Sequence, residues 1–170
     1  KGVSIDKSPE SPYFGRVYVT NTAAGEASGR TTATGVYVMG PDALDITGQG
    51  DKAYAGDVQW TGVVGEGPRK VAVAADGRVF LCDASSSNAG VYLMNPETFT
   101  ISPVFKGATN EAGSLSIGGV YVGGQMTAIG VRGTGEATQL YTVDKTTSGA
   151  SWKKFINVYN IGEADVWTTA

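Results

Sequence analysis

An all-β chain of four-stranded antiparallel meanders, the pattern of β-propeller blades, is the fold class that three observations predict. The first is composition. Of 170 residues 25 are glycine and only 17% are charged. Thr, Ser, Ala and Val are abundant, a mixture that suits short strands and tight turns and suits helices poorly. The second is a recurring strand. Gly35-Val36-Tyr37-Val38-Met39 returns 55 residues later as Gly90-Val91-Tyr92-Leu93-Met94, and 49 residues after that as Gln139-Leu140-Tyr141-Thr142-Val143. Each copy runs into a turn: Gly40-Pro41-Asp42, Asn95-Pro96-Glu97 and Asp144-Lys145. The third is the upstream sequence. The stretch from Val71 to Leu81 aligns without a gap on Val120 to Gly130, again at an offset of 49. A repeat with a period near fifty residues is the signature of stacked supersecondary units.

Taken in order, each repeat reads as four strands. In the first they lie near Gly2–Asp6, Arg16–Asn21, Gly35–Met39 and Ala43–Thr47. In the second they lie near Lys70–Ala74, Arg78–Cys82, Gly90–Met94 and Thr98–Phe105. In the third they lie near Gly119–Val122, Thr127–Val131, Gln139–Val143 and Trp152–Tyr159. Val, Ile, Tyr and Phe fill these runs, and Gly, Asn, Asp or Pro bounds most of them. The units span about 1–56, about 57–112 and about 113–162, with the start of a further one at about 163–170. Glu163-Ala164-Asp165 and Asn110-Glu111-Ala112 are too short to stand as helices.

Within the first repeat, Tyr18-Val19-Thr20-Asn21 resembles the strand motif of the YVTN/NHL-like β-propeller repeats. Gly77-Arg78-Val79-Phe80-Leu81-Cys82-Asp83 is a looser version, and Thr127-Ala128-Ile129-Gly130-Val131 departs further. The resemblance implies a propeller fold and a secreted or cell-surface setting. It implies no single activity, because its members share none.

Three units are fewer than the four to eight blades of a typical ring. A terminal unit therefore leaves one apolar face bare. An incomplete ring or fragment of a larger propeller is the leading expectation. The alternatives are a second chain completing a six-bladed ring, and a different all-β fold such as a sandwich. The first residue is Lys1 rather than Met, so a leader or further N-terminal sequence is expected to precede it.

Composition also narrows function. A net charge of −3 and no basic run argue against nucleic acid. No apolar stretch approaches the roughly 20 residues of a membrane helix. Histidine is absent, which removes the commonest general base and metal ligand. Cys82 is the single cysteine, flanked by Val79-Phe80-Leu81, and reads as a buried strand thiol. Asp83-Ala84-Ser85-Ser86-Ser87-Asn88 offers one carboxylate, too few for calcium, and reads as a hydrogen-bonded loop. Gly118-Gly119 and Gly123-Gly124 lack the helix and Lys-Ser/Thr pair of a phosphate loop. No metal and no cofactor is expected.

In such meanders the second-to-third-strand loops and the inter-repeat links share one edge. Here these are the long connections, so that edge is the expected binding face. Its candidate ligand-binding residues are Trp60 and Trp167 as aromatic platforms, with Arg69 and Arg132 beside them as hydrogen-bond donors. Glu66 and Glu136 lie near the same face. Recurrent packing between units is nonetheless the favoured reading of the two tryptophans over ligand stacking, and a solvated loop that of the charges. The expected function is a non-catalytic, extracytoplasmic binding or scaffold module for a glycan or a protein partner. The rival is a secreted propeller enzyme, a lyase or glycosidase, with catalytic residues partly outside this segment.

Overall fold

The computed structural model describes residues 2–22, 25–27, 30–32, 35–44, 46, 68–83, 90–99, 101–106, 116–117, 120–121, 125–145, 154–162 and 168–169. They form an all-β structure of three antiparallel sheets and two short hairpins. The first sheet has the order β1 (Gly2–Ile5), β2 (Val17–Asn21) and β5 (Gly35–Met39). Within its second connection lies a hairpin of β3 (Gly25–Ala27) and β4 (Arg30–Thr32), a stretch that reads as loop from sequence. A fourth strand was expected at Ala43–Thr47, but its described residues Ala43, Leu44 and Ile46 form none: Ala43 takes a left-handed φ of 63° in a turn, and the Ile46 N–H donates to the Val38 carbonyl at 2.8 Å.

The second sheet is a complete meander of β6 (Pro68–Val73), β7 (Val79–Asp83), β8 (Gly90–Met94) and β9 (Ile101–Lys106). Next come β10 (Ser116–Ile117) and β11 (Val120–Tyr121), which pair with each other. The third sheet runs β12 (Gln125–Arg132), β13 (Gln139–Lys145), β14 (Lys154–Asn160) and β15 (Thr168–Thr169).

The third sheet differs from expectation by one strand. Val120–Tyr121 was expected as its first strand but pairs with Ser116–Ile117 instead. The strand at Gln125–Arg132 was expected second; it packs beside β6, as β1 does on the other side. Thr168–Thr169, read as the opening of a further unit, pairs with β14 as the outer strand. The structural counterparts of β6, β7 and β8 are therefore β12, β13 and β14.

Alternation along β7 explains the layering. Val79 and Leu81 pack with Tyr18, Val36 and Val38 of the first sheet. Phe80 and Cys82 pack with Leu140, Tyr159 and Ile161 of the third. Successive side chains of a strand point to opposite faces, so the middle sheet is covered on both. All five residues of β7 are buried, which is why Val79-Phe80-Leu81-Cys82 is an unbroken apolar run. Each such fully buried large side chain contributes about 1.5–3 kcal/mol.

Polar links join the layers as well. The Thr20 hydroxyl accepts from the Gly2 N–H at 2.8 Å and donates to the Arg69 carbonyl at 3.1 Å. A Cβ on Gly2 would lie 2.9 Å from the Lys70 Cα, so glycine is what lets β1 approach β6. On the third sheet's inner face, Thr142 and Asn157 sit opposite each other and are buried. Thr142 Oγ1 and Asn157 Nδ2 have no partner among the described residues.

Candidate functional site

The ends of three strands build an open cleft of about 590 Å³. β1 supplies Ser4 and Ile5, followed by Lys7, Ser8 and Pro9. β6 supplies Val73, with Ala74 and Ala75 after it, and β12 supplies Val131 and Arg132, then Gly133. In every case it is the C-terminal end of the strand that opens on the cleft. Gly2 meets Lys70 at the other end of β1, so β1 and β6 run side by side in one direction.

One wall is a long loop held by a buried carboxylate. Asp6 is 1% exposed and takes the Ser11 hydroxyl at 2.6 Å and the Ser8 N–H at 3.0 Å. Ser11 Oγ in turn accepts from the Tyr13 N–H at 3.1 Å. The loop closes where the Gly15 N–H donates to the Asp6 carbonyl at 2.9 Å. Gly15 adopts φ 83°, a left-handed conformation that glycine takes without steric cost. The same loop rests on the short turn of the second sheet, with Ser11 Oγ 3.1 Å from where a Gly77 Cβ would stand.

The chemistry of the cleft is one-sided. Lys7 and Arg132 are exposed and cationic, Ser4 and Ser8 carry hydroxyls, and Ile5, Val73 and Val131 give an apolar surface. Among the described residues, its lining contains no carboxylate, thiol or imidazole. Cys82 lies elsewhere, 0% exposed in the core, and burial pushes its thiol up to about 12. Burial likewise raises Tyr18 and Tyr92 above the ordinary phenol range. Among the described residues, no three of Cys, Asp and Glu gather as metal ligands.

The residues singled out from sequence are spread apart. Arg132 lines the cleft, and Arg69 is exposed at the N-terminal end of β6, at the opposite end of that strand from the cleft. The two arginines were expected on one face and stand at opposite ends of the sheets. The shift of β12 to the inner position is the reason, because it turns the loop after Arg132 to the other edge. Glu136 is exposed in a short 3-10 turn after Arg132. Trp60, Trp167, Glu66 and the loop from Ala84 to Asn88 lie outside the described residues. Lys7, Ser4 and Ser8 escaped the sequence reading, which looked to long connections on the opposite edge. The length of the Lys7–Phe14 connection, an exception to the tight turns expected on this edge, is the signal that could have found them.

No helix of the described residues is long and apolar enough to cross a membrane. Comparison with known protein families, curated proteins and solved structures finds no match to this chain.

Proposed function

We propose that this chain is a non-catalytic, extracytoplasmic module of β-propeller type, and that its cleft holds a carbohydrate bearing acidic groups. Three sheets stacked face to face, with β1, β6 and β12 ending together, support the propeller reading. One observation carries the binding reading: a cleft with two cations, two hydroxyls and an apolar surface, all from converging strand ends. A sugar ring has an apolar face for Ile5, Val73 and Val131 and hydroxyls for Ser4 and Ser8. A carboxylate or sulfate on that ring answers Lys7 and Arg132, and arginine offers a planar fork suited to such anions.

Among the described residues the lining holds no carboxylate pair, of the kind glycoside cleavage uses, which supports binding over cleavage. Titration with a charged oligosaccharide, oligogalacturonate, against its neutral counterpart tests the reading. Charge-assisted hydrogen bonds contribute about 1.5–3 kcal/mol. Removing either cation, as Lys7→Ala or Arg132→Ala, is therefore expected to weaken binding about tenfold or more. Added salt weakens it as well. Equal binding by the double variant would overturn the cleft as the site, and shortening of the oligosaccharide would overturn the non-catalytic reading.

A further inference from the structure

Lys7 supplies a cation to the cleft and Ser8 a hydroxyl, yet neither belongs to a strand. They open the connection from β1 to β2, and a connecting segment holds one conformation only where something ties it down. The residue just before Lys7 does so. Asp6 is 1% exposed. Its N–H donates to the Arg16 carbonyl and its own carbonyl accepts from the Gly15 N–H, both at 2.9 Å, so its backbone closes the base of the loop. Its two carboxylate oxygens have separate partners. Oδ1 accepts from the Ser8 N–H at 3.0 Å, which fixes the path of the chain through Lys7 and Ser8. Oδ2 accepts from the Ser11 hydroxyl at 2.6 Å, which draws the middle of the loop back onto the same group.

Ser11 carries the link across to the second sheet. Its Oγ lies 3.1 Å from where a Gly77 Cβ would stand, and Asp6 Oδ2 lies 3.9 Å from that point. Gly77 ends the short turn that begins at Ala74, where its N–H donates to the Ala74 carbonyl at 3.0 Å. Ala74 and Ala75 of that turn line the cleft. The buried carboxylate therefore sits where the first-sheet wall of the cleft meets the second-sheet wall. Hydrogen bonds shielded from water in this way are electrostatically stronger than exposed ones.

We propose that Asp6, which is not itself part of the lining, is a positioning residue of the cleft: it holds Lys7 and Ser8 in place, opposite Arg132, before an anionic sugar arrives. The role rests on the cleft reading above. Ordering a mobile side chain on binding costs affinity, and a donor fixed in advance avoids that cost. A carboxylate beside Lys7 opposes an anionic ligand by Coulomb's law, so what Asp6 contributes is geometry and not charge.

Two substitutions separate the two. Asp6→Ala removes the carboxylate and both of its links. Asp6→Asn removes the same charge but keeps the shape: the amide oxygen still accepts from the Ser8 N–H, and the amide nitrogen donates to Ser11 Oγ. Calorimetric titration with oligogalacturonate is expected to show Asp6→Ala binding about tenfold more weakly, the loss expected of Lys7→Ala itself, and Asp6→Asn binding at least as tightly as the wild type. Circular dichroism checks that each variant is folded. A second arm places Asp6→Ala in two backgrounds. With Lys7→Ala and Ser8→Ala already present it adds no further loss. With Arg132→Ala it keeps its full effect, because residues acting through one another are non-additive and independent ones add. A general loosening of the fold would weaken binding in both backgrounds. Unchanged binding by Asp6→Ala, a loss in Asp6→Asn equal to that in Asp6→Ala, or an equal loss in both backgrounds would each overturn the positioning role. If the Lys7→Ala/Arg132→Ala double variant binds unchanged, the cleft reading falls and this role with it. If that variant loses binding while Asp6→Ala does not, the positioning role alone falls.

Discussion

Cys82 ties a single residue to the pH range in which the fold holds. Its neighbours Val79, Phe80 and Leu81 marked it as a strand thiol from sequence, and it is wholly buried in β7. Burial opposes the charged thiolate and pushes the group up to about 12, from an ordinary value of 9.0. Tyr18 and Tyr92 are raised in the same direction by the same cause. The unfolded chain releases these protons first. The stabilisation is therefore complete below the ordinary thiol value and is lost as pH rises through the window from 9.0 to about 12. Urea unfolding midpoints are expected to hold steady up to that window and then fall. In Cys82→Ala the level drops at every pH, but the fall across the window is shallower. Equal slopes for the two proteins would show that the thiol is not part of the effect.

At the scale of elements, a recurring tripeptide fastens each sheet to the next. Gly15-Arg16-Val17 and Gly77-Arg78-Val79 open β2 and β7, with the glycines at φ 83° and 86°. The Arg16 guanidinium donates to the Pro96 carbonyl in the turn after β8. The Arg78 guanidinium donates to the Gly162 carbonyl, just beyond β14. Arg16 also stacks 4.3 Å over the Tyr13 ring, and Arg78 is braced by Asp76 at 2.7 Å. A charged donor to a part-buried carbonyl contributes about 1.5–3 kcal/mol. Arg78→Met is therefore expected to lower unfolding free energy by about that much, and Arg78→Lys by less, since it keeps charge without the fork. Chemical denaturation of the two variants measures the difference, and no loss in Arg78→Met would remove the clasp from the account. The same comparison shows what was legible in sequence. The strands of the first two sheets were readable because Gly, Asn, Asp or Pro brackets most of the apolar runs, although the run expected at Ala43–Thr47 forms no strand over its described residues. The third was offset by one strand, because period-two alternation looks alike in any strand and lets β7 match β12 as well as β13. That offset also misplaced Arg132, and so hid the cleft that Lys7 and Arg132 share. Arg78 reaching Gly162 fixes the register, since its counterpart Arg16 reaches the turn after β8.

Across the whole molecule, one repeat position meets two environments, and the contrast sets how much each residue contributes to stability. Phe80 is 0% exposed between the second and third sheets, whereas its counterpart Tyr141 lies half-buried on the outer face of the third. The middle sheet shares both faces with its neighbours, so cutting back Phe80 opens a cavity in one of the two shared cores. Phe80→Ala is expected to cost about 3–5 kcal/mol. Tyr141 has less to lose: part of its side chain is already in solvent, and its hydroxyl donates to Gln139 on its own strand at 2.8 Å. Tyr141→Ala is therefore expected to cost clearly less than Phe80→Ala. Chemical denaturation of wild type and the two variants compares the losses, and a Tyr141→Ala penalty as large as that of Phe80→Ala would show that the outer position is packed as tightly as the inner one.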